Sequence, residues 1–272
     1  MSEELRNIIA ETKKQLEHLR VLGIEGIQVT AEPVIAKPVV APRPEPVKPP
    51  APPENVPAAE SVTSLFGDIG PPPVKLTKST ETFEQIHAEI GDCTRCPLHL
   101  ERKHVVHTEG NRKARLMFVG EAPGADEDIQ ARPFVGRAGQ LLTKIIEAIG
   151  MKREEVLIGN VNRCRPPGNR APTTEEATTC KPYLLREIAI VQPEVIVVLG
   201  NTAMKNLLDT REGITRLRGR FQDYKGIKVM PTFHPAYLLR DPSKKRETWE
   251  DLKMVKNYLE SHGSSRMNTD QK

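Results

Sequence analysis

Short, continuous apolar runs alternate with amphipathic segments from about residue 79 onward. Four runs rich in Val, Ile and Leu predict buried β-strands at 115–120, 156–161, 194–200 and 226–233. Helical spacing of apolar residues separates and follows these runs, at Ala138–Ile149, Thr173–Val191, Asn201–Leu208 and Lys244–Glu260. Such alternation indicates a parallel sheet with both faces covered. The expected fold class is α/β, a three-layer α/β/α sandwich around a central four-stranded parallel sheet.

The chain before this domain has a different character. Residues 1–26 predict an amphipathic helix, which either lies solvated on its own domain or docks a protein partner or a second copy. Residues 27–78 predict a disordered linker, because thirteen prolines fall between residues 31 and 73. The folded domain is expected over 79–262, beginning with a capped helix in "STETFEQIHAEIGDC", and 263–272 is expected to be a disordered tail.

Composition narrows the class of protein only slightly. The 272 residues carry a formal net charge of +4, which is compatible with a polyanionic partner without requiring one. No run of 18 apolar residues occurs and no secretory leader is evident, so we expect a cytoplasmic protein without a membrane partner. The folded domain is expected to be monomeric.

Four cysteines are the sulfur ligands that the chain offers: Cys93, Cys96, Cys164 and Cys180. A reducing compartment disfavours disulfides, which makes metal binding the leading interpretation. Four thiolates hold either tetrahedral zinc or a four-iron cluster. Only the first pair is tight, so the spacing favours an iron–sulfur cluster over zinc, and unligated buried thiols are a third alternative.

The stretch "FVGEAPGADED", residues 118–128, places several acids directly after a predicted strand. Ligands of parallel sheets bind at the carboxyl ends of the strands, so this stretch predicts part of a functional site.

Six sequence blocks occur in one order with the cysteines interleaved: "CTRCPL", "GEAPGADED", "RPFVGRAGQLL", "NVNRCRPPGNRAPT", "VIVVLG" and "PTFHPAYLLR". In these blocks the chain resembles the family 4 uracil-DNA glycosylases, the iron–sulfur branch of the uracil-DNA glycosylase superfamily. The resemblance spans roughly residues 93–260. It implies a [4Fe-4S] cluster on the four cysteines, uracil-containing DNA as partner, and release of uracil by hydrolysis in base excision repair.

The resemblance also implies roles for three residues that follow strands or precede helices. Such enzymes flip the nucleotide into a pocket, where an aromatic face stacks on the base. Phe134 matches the stacking position. Asn160 matches the residue whose carboxamide pairs with uracil O4 and N3–H, and His234 the residue that donates to O2 as the base leaves.

Acids in the opening turn are candidates for stabilising the sugar cation or orienting water. Glu121 directly follows the strand and is the first candidate, and Glu127 is a further one by resemblance. Ala122 lies beside Glu121 and is expected to contact the base. For Asp126 and Asp128 we expect helix capping or ion pairs instead.

Basic clusters next to the strand ends predict phosphate contacts, and a pair of leucines predicts a wedge that fills the space left by the flipped base. The residues assigned to DNA on this basis are Arg163, Arg165, Arg170, Arg218, Leu238, Leu239 and Arg240. Two alternative functions are a DNA-binding or polymerase-associated module without catalysis and a zinc-stabilised structural protein.

Overall fold

The computed structural model describes residues 76–266. The N-terminal helix and most of the linker predicted from the sequence lie outside these residues. Leu76 already belongs to the fold, because its N–H bonds to the carbonyl of Lys225 and its side chain packs on the core. At the other end the last helix continues to Arg266, into the segment predicted as a tail.

The described helices and strands occur in an order typical of an α/β protein. The α-helices are α1 Phe83–Ile90, α2 Ala125–Gln130, α3 Arg137–Ala148, α4 Thr174–Val191, α5 Asn201–Leu208, α6 Ile214–Leu217, α7 Pro235–Arg240 and α8 Lys245–Arg266. The strands are β1 Glu109–Gly110, β2 Leu116–Gly120, β3 Leu157–Asn160, β4 Val195–Leu199, β5 Gln222–Tyr224 and β6 Ile227–Thr232. Short 3₁₀ turns lie at Pro97–Leu100, Arg153–Glu155, Pro167–Asn169 and Pro242–Lys244.

The sheet has six strands in the order β1-β3-β2-β4-β6-β5 and is mixed, so the prediction of a four-stranded parallel sheet was incomplete. The four predicted strands pair in parallel with one another. β1 and β5 add antiparallel edges. Each has only two or three residues, which is too short to produce an apolar pattern in the sequence.

Apolar cores lie on both faces of the sheet. In β2, Met117 and Val119 face one core and Leu116 and Phe118 face the other, as strand alternation requires. The first core also receives α1, α4 and α5, and the second receives α3 and α8. Every residue of β2 and β4 is buried, which explains why these strands are apolar without interruption. None of the helices between residues 76 and 266 has the length and apolar character that crossing a membrane requires.

Candidate active site

A cavity of about 650 Å³ opens at the carboxyl ends of the four parallel strands. Each of these strands, or the residue or two after it, contributes to the lining, through Glu121, Asn160, Gly200 and His234. The structure therefore brings together the residues that the sequence predicted for catalysis and base contact: Glu121, Ala122, Glu127, Phe134, Asn160 and His234.

Phe134 and Asn160 meet over Gly120, the last residue of β2. A Cβ atom at Gly120 would lie 2.5 Å from Cζ of Phe134 and closer still to Oδ1 of Asn160, so only glycine fits there. Phe134 is buried and has a φ of 52°, a left-handed conformation that is uncommon for a bulky residue. The carbonyl of Phe134 lies against Gly139 of α3, which leaves no room for a side chain at that position either. The ring is thus held in a special backbone conformation by close neighbours.

Asn160 is 2% exposed, yet its Oδ1 atom has no hydrogen-bond partner among residues 76–266. Buried polar atoms are rarely left unpaired, because the loss of hydration is not compensated. Asn160 also lines the cavity, so its unpaired amide oxygen lies beside the space that a polar ligand would occupy. Oδ1 of Asn162 is likewise unpaired among the described residues, but Asn162 does not line the cavity, and its Nδ2 donates to the carbonyl of Glu176 over 3.0 Å.

His234 precedes α7, and its imidazole lies partly exposed at the cavity. Its Nδ1 accepts the N–H of Ala236 over 3.1 Å, which leaves the proton on Nε2. Burial, together with a smaller effect from the charge of Arg240, lowers the pKa of His234 to about 4. The imidazole is therefore neutral at physiological pH and still has one donor. Its ring centroid lies 5.7 Å from that of Phe134, at a 33° tilt.

Glu121 follows β2 directly and faces the first turn of α5. Burial raises the pKa of its carboxyl above the ordinary value, and a hydrogen bond with Thr202 partly offsets this effect. A half-buried carboxylate at the end of a strand, beside a helix N-terminus, can stabilise a cation or position a water molecule.

The carboxylate of Glu127 binds backbone groups of the same site. Its Oε1 accepts the N–H groups of Val135 and Gly136, both over 2.9 Å, and its Oε2 accepts the N–H of Gly124 over 3.1 Å. These bonds join the turn after β2 to the segment that follows Phe134. Asp128 accepts the N–H groups of Lys103 and His104, so its carboxylate binds the backbone of an earlier loop rather than capping a helix or forming an ion pair, as the sequence had suggested.

Three of the residues assigned to DNA contact have side chains that are mostly buried, which corrects the prediction for them. Arg163 is 1% exposed, and its guanidinium bonds to Thr108 and to the buried carboxylate of Glu187. Arg218 pairs with Asp251 over 2.7 Å and with Glu247 over 3.2 Å, so it joins α8 to the end of α6. Leu238 is 1% exposed and cannot act as a wedge. A basic or apolar residue type alone does not show which way its side chain points.

The other four residues assigned to DNA remain at the surface. Arg170 lines the cavity, although its guanidinium is bound to Glu176 at 2.7 and 2.8 Å. Arg165 is partly exposed and bonds Asn169. Leu239 is 37% exposed. Arg240 is exposed, lines the cavity and forms no ion pair with any residue in 76–266.

The four cysteines lie in one neighbourhood of the fold. Burial raises the pKa of the Cys180 thiol, and Cys96 and Cys93 are near enough to raise it further. Burial likewise raises the pKa of Cys164 to about 12, with Cys180 and Cys96 adding to the effect and Arg102 opposing it. Within the described part of the chain, no three His, Cys, Asp or Glu side chains already form a group that would hold a metal ion.

N–H groups surround the cysteine sulfurs. Sγ of Cys93 accepts from Arg95 over 3.3 Å, Sγ of Cys164 from Arg102 over 3.4 Å, and Sγ of Cys180 from the backbone N–H of Arg163 over 3.3 Å. Donors of this kind stabilise thiolates that ligate a cluster. The residues present therefore fit a group bound through four thiolates.

Several residues of the site were not predicted from the sequence. Thr202 bonds Glu121, Gly120 makes room for Phe134 and Asn160, and Tyr237 lines the cavity one helical turn after His234. Gly120 carried a usable signal, because a glycine at the end of a buried strand often marks a close approach. Thr202 and Tyr237 carried none, since their neighbours come from other parts of the chain.

The chain is similar in sequence to known uracil-DNA glycosylases. The model of the Uracil DNA glycosylase superfamily matches residues 107–253. A type-4 uracil-DNA glycosylase of Thermotoga maritima is 48% identical over 187 residues, which cover 67% of this chain and 97% of that protein. Type-4 uracil-DNA glycosylases of Archaeoglobus fulgidus and Saccharolobus solfataricus are 43% and 42% identical, over 64% and 66% of this chain and 92% and 88% of theirs.

Proposed function

The chain belongs to the Uracil DNA glycosylase superfamily, with type-4 enzymes as relatives, and from this premise we propose how its residues release uracil from DNA. The protein is an N-glycosyl hydrolase that excises uracil in DNA repair. The observation that carries the assignment of roles is the convergence of Phe134, Asn160 and His234 on one cavity.

We propose that the flipped base enters between Phe134 and the wall formed by Asn160 and His234. The Phe134 ring stacks on the base. The unpaired Oδ1 of Asn160 accepts uracil N3–H, and Nδ2 donates to O4. Cytosine presents no N3–H and an amino group at C4, so it would leave both groups of Asn160 unsatisfied in a buried site.

The bond between N1 and C1′ breaks with its electron pair going to the base, and negative charge collects on O2. Nε2–H of neutral His234 donates to this oxygen as the charge develops. The sugar becomes cationic, and the Glu121 carboxylate stabilises it and orients the water whose oxygen bonds to C1′. This water passes one proton to the Glu121 carboxylate, and the released uracil anion takes up one proton from solvent. We assign Glu127 a positioning role, because its carboxylate oxygens already accept three backbone N–H groups.

A [4Fe-4S] cluster bound by Cys93, Cys96, Cys164 and Cys180 is part of this proposal. The N–H donors around the sulfurs support it. The cluster would supply structural cross-linking rather than a chemical step: it would join the segment after α1 to the loop after β3 and to α4. We assign Arg170 and Arg240, which line the cavity, to DNA contact, together with the surface residues Arg165 and Leu239. The cytoplasmic location and the roles of residues 1–78 stay predictions from the sequence.

The test is uracil release from an oligonucleotide, detected as alkali-labile strand scission, beside a matched thymine oligonucleotide. Asn160→Ala should lower kcat/KM by an amount that corresponds to a loss of about 2–4 kcal/mol in transition-state stabilisation. Asn162→Ala should mainly lower thermal stability. Equal uracil release by wild type and Asn160→Ala would remove Asn160 from the site.

A further inference from the structure

The cavity is larger than one pyrimidine ring requires. Pockets of ~300–1,000 Å³ usually enclose drug-sized molecules, and this one is about 650 Å³. Phe134, Asn160 and His234 account for the contacts to the flipped base. A further set of lining residues has no part in that chemistry: Asn201, Thr215, Phe233, Tyr237 and Arg240.

Helix α7 arranges part of this second set in a row. His234 is the N-cap of α7, and Tyr237 and Arg240, which belong to the second set, follow it at intervals of three residues; all three line the cavity. Residues with this spacing share one face of a helix and advance about 4.5 Å along its axis at each step. The row therefore presents a hydrogen-bond donor, then an aromatic ring, then a cation that has no ion-pair partner within residues 76–266.

The Tyr237 ring is held in place by its neighbours. Its centroid lies 5.3 Å from that of Phe233, and its hydroxyl donates to Asp241 over 3.3 Å. Phe233 is itself buried beneath the guanidinium of Arg218, 5.2 Å from the ring centroid. Tyr237 is partly exposed, so one side of a fixed aromatic ring remains available to a ligand.

We propose that this outer part of the cavity is a subsite for the nucleotide next to the uracil, with the Tyr237 ring as the stacking surface for its base. The inference rests on the proposed function, since it requires a flipped uracil at His234. Aromatic rings beside a cation are the usual means by which proteins bind single-stranded nucleic acid. The cavity as a whole thus engages two consecutive nucleotides: the uracil nucleotide that is cleaved, and its neighbour, which the subsite positions.

The test is a cycle that removes the ring and the neighbouring base separately and together. Single-stranded oligonucleotides carry one uracil, and the nucleotide on its 3′ side or on its 5′ side is replaced by an abasic spacer. Tyr237→Ala should weaken binding of the intact oligonucleotide at least about fivefold. On the oligonucleotide that lacks the stacked base, the Kd values of wild type and Tyr237→Ala should differ by less than twofold. The missing base and the missing ring each remove the same stacking contact, so the second change adds no further loss.

Variants and readouts separate stacking from a structural effect. Tyr237→Phe keeps the ring and should bind as wild type does, whereas Tyr237→Leu keeps apolar bulk without an aromatic face and should resemble Tyr237→Ala. Thermal melting checks that each variant folds. Equal fold losses on the intact and both spacer oligonucleotides would overturn the subsite. Kd is measured on oligonucleotides with 2′-fluoro-deoxyuridine in place of deoxyuridine, because this nucleotide resists hydrolysis. The Kd values therefore test the subsite independently of catalysis. Absence of uracil release by the wild type would contradict only the proposed function.

Discussion

The backbone N–H of Ala236 donates to Nδ1 of His234 over 3.1 Å, and this one hydrogen bond determines the tautomer of the imidazole. A neutral histidine has one donor and one acceptor, and here the acceptor is used by the first turn of α7. The donor at Nε2 is therefore the atom available to the cavity. The low pKa of His234, about 4, keeps this state at neutral pH.

Replacing His234 by Ala should reduce kcat by about 100- to 1,000-fold, as expected when a donor to a developing anion is lost. Because the folded pKa lies below the ordinary value of 6.5, the unfolded chain takes up a proton between pH 6.5 and 4 and the folded chain does not. The stability of the wild type should fall over that window, and His234→Ala should lack this contribution. Single-turnover kinetics and urea unfolding at several pH values measure the two effects.

Replacing Glu121 by Gln should separate activity from stability. Burial raises the pKa of Glu121, so the carboxylate is protonated at higher pH than a free glutamate and wild-type activity should fall as pH drops through that raised value. Glu121→Gln should lose about 100-fold or more in kcat and no longer show this dependence. At neutral pH its melting temperature should be higher than that of wild type, because folding no longer buries an anion. A lower melting temperature would contradict this assignment.

Gly120→Ala should impair the site while the fold is kept. The new methyl group would contact Cζ of Phe134 at 2.5 Å and displace the amide of Asn160, so kcat/KM should fall at least tenfold by a ~1.4 kcal/mol loss of transition-state stabilisation. Gly213→Ala is the matched control, because no atom lies within 4 Å of its Cβ position and its φ is −84°. Similar kinetics for the two variants would show that the space above Gly120 is not needed.

Arg163→Ala should lower folding stability, whereas Arg240→Ala should change the salt dependence of DNA binding. The first leaves the fully buried Glu187 with the Thr108 hydroxyl but without its guanidinium partner, and should cost about 3–5 kcal/mol in the free energy of unfolding. The second should leave stability unchanged and lower the slope of log K against log salt by about 0.7 on single-stranded DNA. Chemical denaturation and salt titrations of DNA binding distinguish them, and the reverse pattern would refute the assignments.

Anaerobically purified protein should contain about four irons per chain, with the visible absorbance of a four-iron cluster. Cys164→Ser should lower the iron content and the melting temperature together, because the proposed cluster would join separate segments of the chain. Metal analysis by mass spectrometry provides the measurement. Stoichiometric zinc without iron would refute the cluster.

The elements of the fold that were predictable are those whose apolar pattern is long enough to be distinctive. α5, at Asn201–Leu208, has the predicted bounds, and the four parallel strands lie within the predicted runs. β1 and β5 are too short for any pattern, and their existence depends on the neighbouring strand. Local sequence therefore predicts the central sheet, whereas its edges form only in the tertiary structure.

The site was predictable where residues follow strands, and less so where a side chain's direction matters. Asn160 and His234 reach the cavity because the ends of parallel strands meet at one edge of the sheet. Leu238 and Leu239 are adjacent and chemically alike, yet the first is buried and the second is 37% exposed, because consecutive residues point to different sides of a helix. Arg163 is internal because Glu187, 24 residues later, provides its partner.

The three hydrogen bonds from backbone N–H groups to Glu127 hold the segment that carries the Phe134 ring in place in the absence of DNA. Because the pocket is preorganised, no binding energy is needed to form it. The energy of the phosphate contacts can then be used to flip a base out of the stack. We therefore expect discrimination between bases to occur when the base first enters the pocket, because a base that does not fit the rigid pocket does not bind, rather than after a later conformational closure.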